Sequence, residues 1–264
     1  MFNFNCELEK INNINGVRDS SIPFLISALL KNNNIFYIAK NDLELSNIYN
    51  FLSQNFTNIN IFKIPAWDCL PYDISSPNFS ITSERVESFS KLCFFKKNKE
   101  KNIFLTTINS LITKTAPCDF YKKNFISLTN KTEYSLNKLT DFLINTGYKR
   151  VQTVRELGEF SLRGSILDVF PIGYSKAFRI DFFGETIETI KVMDPLTQRS
   201  STHVENINIY SSNEYLLSEE NIENFRKKFR SLDGNQSIKN FIYEKVSSGI
   251  KFNGIEHFLP LPVS

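Results

Sequence analysis

The order of elements along this chain predicts an α/β fold, a parallel sheet with flanking helices, followed by a smaller α+β domain with an antiparallel sheet. Three observations carry that expectation. Early in the chain, short β-type apolar runs alternate with amphipathic helical periods, the pattern of parallel strands under covering helices. Between Glu156 and Val192, two segments alternate apolar and polar residues at period two and contain glycines. Two further amphipathic helical periods then follow. The 264 residues are enough for two domains. Their expected limits are 1–118, 119–212, and a helical segment 213–264 that returns to the first domain.

Taken in order, Ile22, Leu25, Ile26, Leu29 and Leu30 recur at helical spacing. Ser20 or Ser21 can cap that helix, and Pro23 falls in its first turn. Ile35–Ala39 is a strand by its β-branched and aromatic content. A helix follows from about Leu43 to Gln54, then a strand over Ile59–Ile64. The interval Pro65–Ser80 is a long loop holding the single tryptophan, Trp67. It is either a functional loop or one that Trp67 and Tyr72 pin to the sheet. A helix from Thr82 to Phe95 and a strand Ile103–Thr107 complete the alternation. Leu111 and Ile112 finish a short helix that Pro117 breaks, and Thr107–Asn130 as a whole is transitional. Leu136–Asn145 is helical and stops at Gly147, with Arg150 just beyond. Helices near Ser218–Leu232 and Ile238–Ser247 follow the β block.

Within the β block, Phe160 and Leu162 alternate with Ser161 and Arg163. After Gly164, apolar residues fall on both parities, so Gly164 reads as a bend where one strand becomes buried on both faces. Phe178, Ile180 and Phe182 alternate into a Gly184-Glu185 turn and return through Ile187 to Val192, a hairpin. This sheet holds Arg163 on its wet face, and Asp181 faces outward where Arg163 or Arg179 can pair with it.

Composition excludes several classes. Hydrophobic content of 41% and charged content of 22% are those of an ordinary globular chain. A net charge of +3 is too small to argue for nucleic acid. The cluster Lys96–Lys101 reads as a solvated loop. The four cysteines have no CxxC or Cys–His spacing, so no zinc site is expected, and reduced thiols fit a cytoplasmic setting. Neither a signal peptide nor a membrane span is expected. His203 and His257 are the only histidines, and His257 is expected to stack between Phe252 and Phe258.

A nucleotide would be held at the junction Asn15–Ser21. A phosphate loop needs closely spaced glycines, a lysine and a magnesium-binding hydroxyl. Here Gly16 and the hydroxyls of Ser20 and Ser21 are present, but Arg18-Asp19 stands in the middle. The acid repels phosphate, so these five positions form a degenerate, non-binding phosphate loop. Neither ATP hydrolysis nor any cofactor is expected, and no catalytic or metal-ligating set stands out.

Three ordered blocks resemble a known family. They are Ile64-Pro-Ala-Trp-Asp-Cys-Leu-Pro-Tyr-Asp73 with Ser76-Pro77 and Glu84-Arg85, then Gly158–Ser200 with Arg163-Gly164, Ile166–Pro171 and Arg179–Gly184, then Gly254–Pro260. Together they resemble the UvrB-homology module of bacterial transcription-repair coupling factors, and more distantly UvrB itself. The resemblance implies a degenerate RecA-like first domain and a UvrB-interaction-type second domain that binds UvrA in nucleotide excision repair. By motif position the UvrA-binding arginines fall on Arg150 and Arg163, and Ser161 stands where UvrB has a further arginine. The resemblance also implies a longer parent that contacts RNA polymerase and DNA as an ATP-driven translocase, with this chain stopping before those parts. The alternative is a UvrB-like domain that binds nucleotide or DNA.

Overall fold

The computed structural model describes residues 14–30, 34–56, 59–70, 75–94, 101–229 and 236–258. Cys6, Tyr72, most of the Lys96–Lys101 cluster and the closing residues from Leu259 lie outside them. In chain order the elements are α1 (Ile22–Leu29), β1 (Ile35–Ala39), α2 (Asp42–Asn55), β2 (Asn60–Ile64), α3 (Phe79–Phe94), β3 (Asn102–Thr107) and α4 (Ile108–Ile112). They continue with α5 (Cys118–Lys123), β4 (Phe125–Thr129), α6 (Leu136–Asn145), β5 (Lys149–Arg150), β6 (Glu159–Arg163), β7 (Ile166–Val169), β8 (Ala177–Phe183) and β9 (Thr186–Met193). Last come β10 (Ser200–His203), β11 (Asn206–Tyr210), α7 (Glu219–Phe229) and α8 (Gln236–Ser247).

The chain divides into two compact units, one formed by Met1–Ala66 with Phe95–Thr113 and the other by Trp67–Phe94 with Lys114–Ser264. This division differs from the limits expected from sequence, because α3 and the two closing helices all join the second unit.

The first unit holds a three-stranded parallel sheet in the order β1-β3-β2. Ile26 and Leu30 of the first helical stretch and Leu45, Ile48 and Leu52 of α2 bury against Ile103 and Leu105 of β3. The three- and four-residue spacing of those leucines and isoleucines gives each helix one apolar stripe. The Asn41 side chain caps α2 by accepting the Glu44 amide at 2.9 Å.

The second unit holds a six-stranded sheet in the order β10-β9-β8-β7-β6-β5. Its pairs are antiparallel except β5 with β6, which is parallel. Alternation sends Phe160, Leu167, Val169, Phe178, Ile180, Phe182 and Ile190 into one core, where Leu139 and Leu143 of α6 meet them. A two-stranded β4–β11 ribbon adds Leu128, Ile207 and Ile209. A second cluster joins Tyr215, Phe225, Phe229, Ile242 and Val246, with Trp67 packed against it. Trp67 therefore pins its loop to the closing helices, not to a sheet.

Two local expectations are corrected. Gly164 is not a bend within one strand. With Ser165 it forms the two-residue turn of a hairpin, since Arg163 pairs with Ile166 and Gly164 has φ +62°. The apolar run after it misled because Asp168, a buried acid, sits among the apolar residues. In the transitional stretch, α5 and β4 are regular elements, β4 finding its partner β11 far along the chain.

Gly147 is required by geometry. It ends α6 with φ +94°, and a Cβ there would stand 2.1 Å from Asn213 Nδ2 and 2.8 Å from Ser212 Oγ. Gly147→Ala should cost more than about 1 kcal/mol. The denaturant midpoint checks this, and an unchanged midpoint would show that the turn relaxes freely.

Candidate protein-docking site

The outer face of the six-stranded sheet carries a ladder of charge. Pleating puts Ser161 and Arg163 of β6 on the face opposite Phe160, and the register extends this row to Asp168, Arg179 and Lys191. Asp168 is its centre. The side chain is 1% exposed, and Arg179 grips it bidentately, Nε to Oδ1 at 2.7 Å and Nη2 to Oδ2 at 2.9 Å. Arg163 Nη2 donates to the same Oδ2 while 52% of its side chain stays exposed. A buried carboxylate thus aims two guanidinium groups, one of them into solvent. The hydrogen bond to Asp168 leads the effects that raise the Arg179 pKa.

Asp181 does not take the arginines. It accepts from Thr189 Oγ1 at 2.7 Å and from Lys191 Nζ at 3.1 Å. Partial burial pushes its carboxyl up, but these bonds and the charges of Lys191 and Arg179 outweigh that and lower its pKa. The face therefore presents Arg163, Arg179 and Lys191 beside Asp168 and Asp181. Phe183 and Ile166 are exposed apolar residues on the same side of these strands.

The residues singled out from sequence are not all brought together. Arg150 lies on β5 opposite Phe160, whose side chain is in the core. By register it leaves the sheet on the other face from Arg163, at the sheet edge, exposed and without an ion pair among the described residues. Ser161 is 2% exposed and donates to the Gln152 carbonyl at 3.0 Å. This corrects its place in a docking set, because the hydroxyl is covered by the segment before β6. Asp168 was missed. Reading Gly164-Ser165 as a hairpin turn would have placed it across from Ser161 on the arginine face.

At the degenerate phosphate loop, Gly16, Arg18, Asp19, Ser20 and Ser21 are all exposed, and Gly16 has φ +78°. Asp19 receives Lys40 Nζ at 2.6 Å. Ser21 precedes α1 without a side-chain cap. Lys40 is thus engaged by the loop's own acid. His257 lies edge-on to Trp67 at 5.5 Å, with Nε2 3.8 Å from Cys69 Sγ, which replaces the expected stacking between phenylalanines. Among the described residues, no cluster of His, Cys, Asp and Glu could hold a metal ion, and no helix is long and apolar enough to cross a membrane.

Comparison with known proteins locates the ladder inside a recognised domain. The family model for the UvrB interaction domain matches residues 126–215. The chain is similar to the transcription-repair-coupling factor of Rickettsia bellii, at 34% identity over 90% of this chain and 21% of that protein. That of Haemophilus influenzae is 32% identical over 83% of the chain and 18% of its own length. That of Escherichia coli is 30% identical over 81% and 18%. The chain thus spans about a fifth of the length of these relatives.

Proposed function

The chain carries a UvrB interaction domain and is a homologue of the transcription-repair-coupling factors, and on that premise we propose that it is a non-catalytic docking module of transcription-coupled repair that recruits UvrA. The observation that carries this reading is the Asp168-held Arg163 on the open face of the sheet, inside the matched domain. A planar guanidinium fixed by a buried acid keeps spare donors for a partner carboxylate and loses little freedom on binding. Arg150 contributes from the sheet edge. In this reading the first unit is a scaffold that neither binds nor hydrolyses ATP, because Asp19 occupies the loop where phosphates would sit. Contacts with RNA polymerase and DNA, and ATP-driven movement, belong to a longer protein of the relatives' size.

The test replaces Arg150 and Arg163 together by Ala. UvrA pull-down should be lost while the melting temperature stays nearly unchanged, since exposed arginines add little to stability. Retained capture by the double variant would reject these sites. The nucleotide-binding alternative predicts thermal stabilisation by ATP with magnesium, or DNA binding that weakens steeply with salt; the docking account predicts neither.

A further inference from the structure

Cys93 and Cys118 form a disulfide with Cα atoms 5.4 Å apart and a sequence separation of 25. The expectation of four separate reduced thiols missed this pair, because only the fold brings it together. Cys93 lies in the last turn of α3 and packs against the main core of the second unit. Cys118 is the exposed first residue of α5. Between them the chain makes an excursion. It leaves the second unit after Phe94, supplies β3 and α4 to the first, and returns at Lys114. That excursion contains β3, the central strand of the parallel sheet. The two cysteines therefore bracket both crossings of the chain, one residue before the departure and four residues after the return.

We propose that this pair is a redox-controlled staple across the two crossings, closed by a small disulfide such as oxidised glutathione and opened by its thiol. The exposed Cys118 meets glutathione first. Its thiolate attacks one sulfur of the glutathione disulfide, that S–S bond breaks, and one glutathione leaves as thiolate. The Cys93 thiolate then attacks the Cys118 sulfur of the mixed disulfide and releases the second glutathione. Two electrons and two protons pass from the cysteines to glutathione. The closed form ties the base of a loop that carries the middle strand of another unit, so the unfolded chain loses conformations that the folded chain never used.

The experiment equilibrates the full chain in graded ratios of oxidised to reduced glutathione, quenches, alkylates and maps the peptides. Cys93 and Cys118 should lose alkylation together and appear as one cross-linked peptide, while Cys69, which is not part of that pair, stays alkylated as the internal control. The melting midpoint of the oxidised chain should rise by about 5–10 °C. Cys118→Ser, at an exposed position, should remove that rise without disturbing the fold. Independent alkylation of the two cysteines, a cross-link with no change in midpoint, or a rise that survives in Cys118→Ser would each overturn the proposal. The readouts do not involve UvrA, so this staple stands or falls apart from the docking function.

Discussion

Glu214→Ala destabilises the second unit by about 3–5 kcal/mol, the largest loss expected of any single polar substitution among the described residues. Arg85 is 0% exposed, and Glu214 is 3% exposed. Arg85 Nε donates to Glu214 Oε1 at 2.6 Å, and Nη2 donates to Oε2 at 3.2 Å. Trp67 Nε1 gives a further donor to Oε1 at 3.2 Å. The guanidinium also lies 5.3 Å from the ring centres of both Trp67 and Phe89. Removing the carboxylate leaves a buried guanidinium that has lost its counter-charge, and the desolvation already incurred is no longer offset. Replacing Arg85 and Glu214 together by leucine should cost much less than either single change to alanine. The Tyr121 hydroxyl, buried without a hydrogen-bond partner among the described residues, supplies the contrast. Tyr121→Phe should be neutral or stabilising, because it deletes an unsatisfied polar atom. Chemical denaturation of the four variants checks this, and equal losses for the single and double changes would refute the ion-pair account.

Asp168→Ala should act on stability and on docking at once. Arg179, whose side chain is only 20% exposed, loses a bidentate partner, and Arg163 loses the anchor that orients it. The expected stability cost is about 2–3 kcal/mol, below that of Glu214 because Arg163 can turn into water. UvrA affinity should fall about tenfold or more although Asp168 itself is buried. Arg163→Ala should lower affinity to a similar or greater extent, by about 2 kcal/mol, with little loss of stability. A variant of Asp168 that loses stability but keeps full affinity would show that the acid supports the sheet and nothing else.

The sequence was most legible where one element is decided locally. The strand Ile35–Ala39 and the helix Leu136–Asn145 lie where their apolar spacing puts them, the second stopped by a glycine whose φ other residues rarely adopt. The α/β class with its parallel sheet and the antiparallel sheet of the UvrB interaction domain were both legible, and so was the kinship carried by the three motif blocks. What stayed hidden depends on contacts distant in the chain. β4 looks irregular until β11 supplies its hydrogen bonds, with Phe125 opposite Tyr210. The Cys93–Cys118 pair and the Arg85–Glu214 pair likewise join segments that nothing local connects. At the docking face the error was one of register. Taking Gly164 as a bend hid the hairpin, and with it the acid that holds Arg163.

Acid should weaken this face selectively. The folded state holds the Asp181 carboxyl below its ordinary range, so its contribution is present above the unfolded value of about 3.9 and is lost as pH falls through the lowered one. Stability measured from neutral pH downward should therefore hold until that range, and Asp181→Asn should flatten the acid limb.

Calorimetric titration of UvrA into the intact chain, with Arg163→Ala run beside it, bears most directly on the central claim. A saturable heat for the intact chain that disappears or weakens at least tenfold in the variant, at an unchanged melting temperature, is the predicted result. No heat from the intact chain, or the same affinity in both, would contradict it.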